Sequence, residues 1–266
     1  MPAAIALLDD ADLKVCLAAH QVLEGAAAMR RRLREIIRQP RGIVPEPGVL
    51  DGPPPEKRPA EDAKLLDGIL AAVPALKRSL GNEKEVRVRL AALYVLETLD
   101  DSAEKAVDEV TKVLNDKNGF VRWGAVRVLN NMAPRQAEIA VPALAGTLTD
   151  GNKTVRLAAT QALRRYGPQA SAAMRPLMMT IGDSEPQVRI AVINALAAIG
   201  PSAHPSVSAV VPALMDEQPA VREAAAQALG QLGPLNAEAK KALSKALEDS
   251  EASVRQAASE TLLGKD

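Results

Sequence analysis

The residues available for chemistry in this chain are mostly charged side chains, because histidine and cysteine are nearly absent. His20, His204 and Cys16 are the only members of these two types, too few for a metal cluster, a disulfide framework or histidine-based catalysis. The chain contains neither an H-E-x-x-H nor a G-x-S-x-G motif. We therefore expect no metal, no cofactor and no catalytic residue.

The charged residues are balanced, and the apolar residues are those of helices. Lys and Arg number 33 and so do Asp and Glu, which disfavours a surface dedicated to nucleic acid. Hydrophobic residues make up 47% but aromatic residues only 2%, a composition typical of closely packed helices. No apolar run approaches the length of a membrane span, and the first residues lack a secretory signal. We expect an all-α cytoplasmic protein that does not insert into membranes.

One sequence pattern recurs: an acidic residue, four variable residues, Val-Arg, and then a small-residue-rich helix that ends in Leu. Examples are EKEVRVRLAALYVL (83–96) and DGNKTVRLAATQAL (150–163). A weaker copy spans 10–23, with Cys16 in place of the arginine. Such regularity is the signature of a repeat array. Six valines anchor the complete copies at intervals of 33 or 34 residues: Val88, Val121, Val155, Val188, Val221 and Val254.

Each copy is predicted to form a helical hairpin. A first helix of about 12 residues leads through an Asp turn to a second helix of about 15 residues. Gly-Pro pairs at Gly167, Gly200 and Gly233 are predicted to be left-handed helix terminators, and Ala133-Pro134 occupies the same place. Counting the anchor valine as position 0, apolar residues recur at positions 0, 4, 7, 8 and 11, one face of a helix. One hairpin cannot bury that face alone, so the hairpins are expected to stack into an α-solenoid.

The pattern Asp-x4-Val-Arg-x2-Ala-x2-Ala-Leu, with Pro in the preceding helix, resembles HEAT repeats, in particular the bacterial HEAT-like type first named from phycobilisome lyases. The resemblance covers 61–266 fully and 1–38 partly. It implies a superhelix whose Val-Arg helices line the concave side, with turn carboxylates and helix arginines forming a structural ladder between repeats. The acidic members would be Glu83, Asp116, Asp150, Asp183, Asp216 and Asp249. The basic members would be Arg89, Arg122, Arg156, Arg189, Arg222 and Arg255.

The pattern divides the chain into three parts. Residues 1–38 form a partial N-terminal repeat, 39–60 a Pro-rich loop, and 61–266 six repeats. The loop carries seven of the 19 prolines and is either a linker or a polyproline-like segment that docks a proline-binding partner. Because Pro2 to Asp10 matches the second half of a first helix, we expect the chain to be a fragment of a longer protein.

The main functional signal is a set of apolar residues on the second-helix face opposite the core. Position 2 lies about 200° around the helix from the anchor valine. Position 5 is also mostly apolar, from Leu93 to Ala226. These residues either bind a partner or pack on adjacent helices and beneath 39–60. The residues predicted to bind, taken from positions 2 and 6 and from Phe120, are Leu90, Tyr94, Phe120, Trp123, Arg127, Leu157, Gln161, Ile190 and Asn194.

These features predict a non-catalytic, monomeric scaffold that binds a helix or peptide of a partner protein on its concave face. Tyr94, Phe120 and Trp123 would be the anchors, and the residues at position 6 would orient the partner. Two alternatives remain open: an accessory protein like the chromophore lyases, and a nucleic-acid binder like the HEAT-like alkylpurine DNA glycosylases. The first predicts bilin binding and the second salt-dependent DNA binding, although no basic stripe supports it.

Overall fold

The structure, a computed structural model, describes Gln21 and residues 71–264. Predictions about His20, Cys16, the weak copy at 10–23 and the Pro-rich loop 39–60 lie outside the described residues. Within them the chain forms α-helices and 3-10 turns connected by short loops, and the fold is an α-solenoid. The predicted fold class is confirmed.

The chain divides into two compact units, the first ending at Val110 and the second beginning at Thr111. In the first unit the described helices are α1, over residues 71–80, and α2, Val86–Thr98. A 3-10 turn, Asp100–Ala106, follows α2. Helix α3, Val107–Lys112, contains the boundary between the units.

The second unit contains five Val-Arg helices, each of which packs against the next. These second helices are α4 (Gly119–Met132), α6 (Lys153–Tyr166), α8 (Pro186–Ile199), α10 (Pro219–Gln231) and α12 (Ala252–Leu263). The helical segments between them are α5 (Ala137–Gly146), α7 (Met174–Thr180), α9 (Val207–Val210) and α11 (Ala237–Ala246).

Local sequence explains where the second helices begin. The side-chain oxygen of Asn118 accepts hydrogen bonds from two backbone N–H groups of α4, and that of Asn152 accepts one from Thr154 at the start of α6. Helices α8 and α10 begin instead with Pro186 and Pro219. Proline fits there because the first backbone N–H groups of a helix have no partner within the helix, so no hydrogen bond is lost.

The Gly-Pro pairs at Gly167 and Gly200 end their second helices as predicted, but not in the left-handed helical conformation. The predicted terminator Gly233, with φ 115°, lies two residues beyond the last residue of α10. Gly167 has φ 55° and ψ −130°, and Gly200 has φ 76° and ψ −149°. This backbone region is essentially restricted to glycine, a stronger requirement than a left-handed terminator imposes. At the Ala133-Pro134 corner, Ala133 keeps φ at −62°, and Gln136 is the residue with left-handed dihedrals.

The first helices differ from the continuous helices predicted for them. Between α6 and α8 the chain forms a 3-10 turn, Gly167–Ala173, before the seven-residue α7. Between α8 and α10, two 3-10 turns flank the four-residue α9. Prolines in these segments, such as Pro205 and Pro212, lack the N–H that a continuous α-helix would use. Proline alone does not decide the outcome, because α5 contains Pro142 and α11 contains no proline, yet each is uninterrupted over ten residues.

The inward face of the second helices forms the core, in agreement with the sequence. The anchor valines and most leucines at position 8 are buried, for example Val121 and Leu129 at 0% exposure. Position 5 was predicted to face outwards and is buried instead: Val126, Thr160 and Ile193 are each 0% exposed. This position lies about 140° from the anchor valine. We attribute its burial to the packing of successive second helices against one another.

The stretch Pro186–Met215 is long and apolar enough to cross a membrane, judged by length and composition alone. In the structure it comprises α8, α9 and the adjoining 3-10 turns, and more than half of its most apolar window is buried inside the protein. Its hydrophobicity is accounted for by the repeat core.

Candidate partner-binding face

Arginine and aspartate side chains link successive repeats of the second unit. The Arg122 Nε donates to Oδ2 of Asp150 at 2.6 Å, and its Nη2 donates to Oδ1 at 2.8 Å. This bidentate geometry is the strongest form of arginine–carboxylate pairing. It recurs at 2.7–2.9 Å in three further pairs: Arg156 with Asp183, Arg189 with Asp216, and Arg222 with Asp249. The ladder implied by the HEAT resemblance is confirmed for these four pairs.

Each ladder residue is also fixed within its own turn. The Arg156 Nη1 donates to the backbone oxygen of Asp150 at 2.9 Å, and the Asp150 Oδ1 accepts the backbone N–H of Asn152 at 2.8 Å. Arg255 makes the same bond to the backbone oxygen of Asp249, at 2.7 Å. Hydrogen bonds within the turns thus fix both side chains of a pair, so less side-chain entropy is lost when they pair.

The ladder lowers the pKa of its carboxyl groups. The hydrogen bond from the Arg122 guanidinium is the largest influence on Asp150 and lowers the pKa of that carboxyl. Burial would raise the pKa of Asp183, but the Arg156 guanidinium and the Glu185 backbone N–H outweigh burial and lower it. These aspartates are therefore ionised at neutral pH, and their carboxylates are used in holding successive repeats together.

In the first unit, the turn before α2 uses a different residue from the one predicted. Glu83 holds the ladder position in the sequence, but the Asn82 side chain accepts the backbone N–H groups of Lys84 and Glu85. The Asn82 backbone oxygen accepts the Arg89 Nη1 at 2.5 Å. The assignment of Glu83 as the acidic residue of this turn is wrong, because Asn82 already provides the short polar side chain that caps a turn.

The predicted binding residues of the second unit lie on one outward face. We define the exposed strip as positions −1, 2, 6, 9 and 10 of α4, α6, α8, α10 and α12. All of these residues are at least partly exposed except Ala197 on α8, which is buried. On α4, Phe120 is 72% exposed and Trp123 is half-buried. The Arg127 guanidinium carbon lies 4.6 Å from the centre of the Trp123 ring, within cation–π range. On α6 and α8, Leu157, Ile190 and Asn194 are half-buried and Gln161 is exposed.

Two of the predicted residues belong to the first unit. On α2, Leu90 at position 2 is half-buried, and Tyr94 at position 6 is 52% exposed. The second unit contains Phe120 and Trp123, which lie three residues apart on α4. Tyr166, the fourth aromatic residue, is buried in the core.

Other surfaces offer less to a ligand. Among the described residues, no three His, Cys, Asp or Glu side chains come close enough to hold a metal ion. His204 is exposed. An open groove of about 640 Å³ lies over Ile139 and Pro142 on the side of the first helices.

The sequence reasoning missed the charged residues that flank the apolar ones on the exposed strip. Arg164 and Arg165, at positions 9 and 10 of α6, are exposed, and so is Glu260 at position 6 of α12. Aligning the repeats on the anchor valine shows these charged positions in the sequence. The net charge of zero does not show them, because it adds the basic and acidic residues of all repeats together.

The fold and the ladder define a repeat scaffold of the HEAT and armadillo type. The family model described as HEAT repeats matches residues 73–164, 107–180 and 174–263. The chain belongs to the HEAT-repeat family.

Solved structures share this fold at low sequence identity. An engineered protein is 19% identical, with 98% of this chain and 77% of that chain covered and a TM-score of 0.57. A computationally designed armadillo repeat protein for modular peptide recognition is 16% identical, with 100% and 99% covered and a TM-score of 0.55. The complex of CpcE and CpcF of phycocyanin lyase from Nostoc sp. PCC7120 is 23% identical, with 83% and 80% covered and a TM-score of 0.49. A search of curated proteins gives no significant match.

Proposed function

We propose that this chain is a non-catalytic protein-interaction scaffold that binds a helix or extended segment of a partner protein. The binding surface is the exposed strip of the second unit. The observation that carries the proposal is Phe120, an aromatic side chain 72% exposed, beside the half-buried Trp123 and on the same face as Leu157 and Ile190. Apolar side chains that stay partly exposed on one face in this way are typical of interaction sites in soluble proteins.

The arrangement of α4 suits a binding anchor. Burying an aromatic side chain removes about 150–250 Å² from water and contributes more than most residues to an interface. The cation–π contact with Arg127 holds the Trp123 indole in one orientation, so less side-chain entropy is lost on binding. Tryptophan, tyrosine and arginine are also the residues most often found as interface anchors.

Polar side chains beside the anchors can orient the partner. Gln161 and Asn194 occupy position 6 of α6 and α8, as Arg127 does on α4, so donors recur on successive helices. Leu90 and Tyr94 give the first unit its own apolar and aromatic residue at positions 2 and 6. We infer that both units contact partners through the same face of their second helices.

The experiment compares two substitutions that each remove an exposed apolar side chain. Trp123→Ala removes the proposed anchor, and Met179→Ala removes a residue that is 81% exposed on α7, a first helix. Partners are captured on the immobilised wild-type chain, and the affinity of each for the three proteins is measured by calorimetry. We expect Trp123→Ala to weaken binding by about 2 kcal/mol, close to 30-fold, and Met179→Ala to leave it unchanged.

Circular dichroism separates this result from a loss of structure. We expect both variants to keep the helicity of the wild type, because neither side chain is part of the buried core. If the partners bind Trp123→Ala as tightly as the wild type, the exposed strip is not the binding surface. If instead the variant unfolds while its folded fraction binds normally, the indole has a structural role and the proposal fails.

A further inference from the structure

The exposed strip of the second unit is cationic at one end. The rim of the strip consists of the turn residues two to four positions before each anchor valine. On the strip and rim of α4 and α6, the charged side chains are all basic. Arg127 is half-buried over the Trp123 ring, and the others are exposed. They are Lys117, Arg127, Lys153, Arg164 and Arg165.

The other end of the strip is anionic. On the repeats of α10 and α12, the corresponding charged side chains are all acidic: Glu217, Glu223, Glu251 and Glu260. The Glu223 and Glu260 carboxylates accept hydrogen bonds from Gln227 and Gln256 on the same face, which keeps them in place without neutralising them. Between the two ends, the strip residues of α8 are uncharged, including Ile190 and Asn194, and the rim of α8 carries one acidic residue, Glu185.

Ion pairs among the described residues reduce this separation of charge only in part. Four ladder arginines are neutralised by aspartates. The Arg189 guanidinium also lies 3.6 Å from the Glu217 carboxylate, but the Glu217 side chain is 77% exposed and water screens the pair. Lys153 reaches the Glu185 carboxylate at 3.3 Å, but its side chain is 66% exposed, so water screens that pair strongly. A ligand on the strip therefore meets positive potential over α4 and α6 and negative potential over α10 and α12.

We propose that the partner is a charge-segregated protein segment, and this inference rests on the function proposed above. Its acidic half lies over α4 and α6 and also carries bulky apolar side chains, which contact Trp123 and Leu157. Its other half is basic and lies over α10 and α12. A nucleic acid would not satisfy this surface, because its phosphates are negative along their whole length and Glu223 and Glu260 would repel them.

The length of the strip sets the length of the segment. Neighbouring helix axes are about 8–10 Å apart, so the four steps from α4 to α12 span about 32–40 Å. An extended chain rises about 3.3 Å per residue, and about 10–12 residues therefore cover the strip.

The test begins with a displayed library of random peptides about 12 residues long, the length expected above. Peptides that bind the wild-type chain but not Trp123→Ala are synthesised, and their Kd values are measured by fluorescence anisotropy. The critical variant is Arg164→Glu/Arg165→Glu. Its control is Lys240→Glu/Lys241→Glu, the same change of charge on the exposed face of α11. Circular dichroism verifies that both variants are folded.

We expect the selected peptides to carry Asp and Glu beside bulky apolar residues at one end and Lys and Arg at the other. The Arg164/Arg165 variant should raise their Kd by about tenfold or more, and the control should change it little. Trp123-dependent peptides that lack this segregation, or that bind both variants equally, would overturn the inference and leave the proposed scaffold function standing. If no peptide depends on Trp123, both proposals fail. Displacement of the peptides by a single-stranded oligothymidylate would overturn the assignment of a protein segment.

Discussion

Trp123 and Tyr166 show how position on a second helix decides the role of an aromatic side chain. Trp123 is at position 2, where the neighbouring helices leave part of the ring uncovered. Tyr166 is at position 11, on the inward face, and its side chain is 1% exposed. The position on the helix therefore separates a candidate binding residue from a core residue.

The buried Tyr166 hydroxyl has a specific partner in the preceding repeat. It donates to the backbone oxygen of Leu129 at 2.9 Å. That oxygen is near the end of α4, where Ala133 directs its N–H to Asn130 instead of Leu129. The tyrosine thus satisfies a helix-end carbonyl inside the core and ties α6 to α4.

Tyr166→Phe is expected to destabilise the protein by about 1–2 kcal/mol, because it leaves the Leu129 carbonyl buried without this donor. Urea unfolding monitored by circular dichroism measures the change. The matched control is Tyr94→Phe, which removes the hydroxyl of a tyrosine that is 52% exposed. We expect no measurable effect from the control. Equal stability of the two variants would show that the Tyr166 bond contributes nothing.

Among single residues, the ladder was predictable from sequence and its first turn was not. The pattern aligns each arginine with the aspartate 27 or 28 residues later, and these are the pairs that form in the second unit. In the turn before α2, the acidic residue Glu83 lies one position after Asn82. The backbone N–H groups of Lys84 and Glu85 bond to the Asn82 side chain. Pattern matching registers charge, whereas the turn requires a short polar side chain at one backbone position.

At the scale of elements, the Gly-Pro corner controls how each second helix ends. After Gly200 the chain passes directly into the 3-10 turn Gly200–Ser206, with Pro201 near its start. Glycine and proline were readable in the sequence as a stop, but the dihedral angles of the corner depend on where the next first helix has to pack. That is a tertiary constraint, which local sequence does not encode.

Gly200→Ala tests this corner. A Cβ at this position would meet no atom within 4 Å, so any cost comes from the backbone conformation and not from a clash. We expect a loss of about 1–3 kcal/mol, measured by urea unfolding, because residues with a Cβ avoid these dihedral angles. Gly182→Ala is the control, since a Cβ there also meets nothing and φ is ordinary. It should leave stability unchanged or raise it by about 0.4–1 kcal/mol.

The burial of position 5 also belongs to the scale of elements. A helical wheel gives the angle of each residue from a single buried face, here the face of the anchor valine. By that angle alone, positions 2 and 5 were both predicted to point outwards. In the array, α6 and α8 each pack against a second helix on both sides. Thr160 and Ile193 are buried there, whereas Leu157 is half-buried. The width of the binding face thus depends on the helix spacing, which the periodicity of one repeat does not give.

For the molecule as a whole, the interval of 33 or 34 residues was sufficient to predict the class of fold, because a hairpin with one apolar face must stack on its neighbours. Total composition was a poorer guide. The net charge of zero disfavoured a surface dedicated to nucleic acid, but it gave no sign that the strip separates Arg164 and Arg165 from Glu223 and Glu260. Charge has to be read along the face that the repeats create, and that face is known only once burial is known.

The ladder makes the stability of the whole array dependent on pH. The folded protein lowers the pKa of Asp150, Asp183, Asp216 and Asp249 below the ordinary value of 3.8. An aspartate whose pKa is lower in the folded state binds protons more readily when unfolded. Its stabilisation is therefore fully present above about pH 4 and is lost as the pH falls through the lowered folded pKa values.

We expect the urea midpoint of unfolding to change little on this account between neutral pH and about pH 5, and to fall steeply below about pH 4. Asp183→Asn should lower stability at neutral pH by about 2 kcal/mol, because it removes a charged partner of Arg156. It should also reduce the dependence on pH in the acidic range, since one titrating ladder carboxylate is gone. Glu248→Gln, which removes an exposed carboxylate outside the ladder, should change neither. If Asp183→Asn kept the full dependence of stability on pH in the acidic range, the loss of stability in acid would arise from general charge repulsion and not from protonation of the ladder. The array would then be held by its apolar stacking alone.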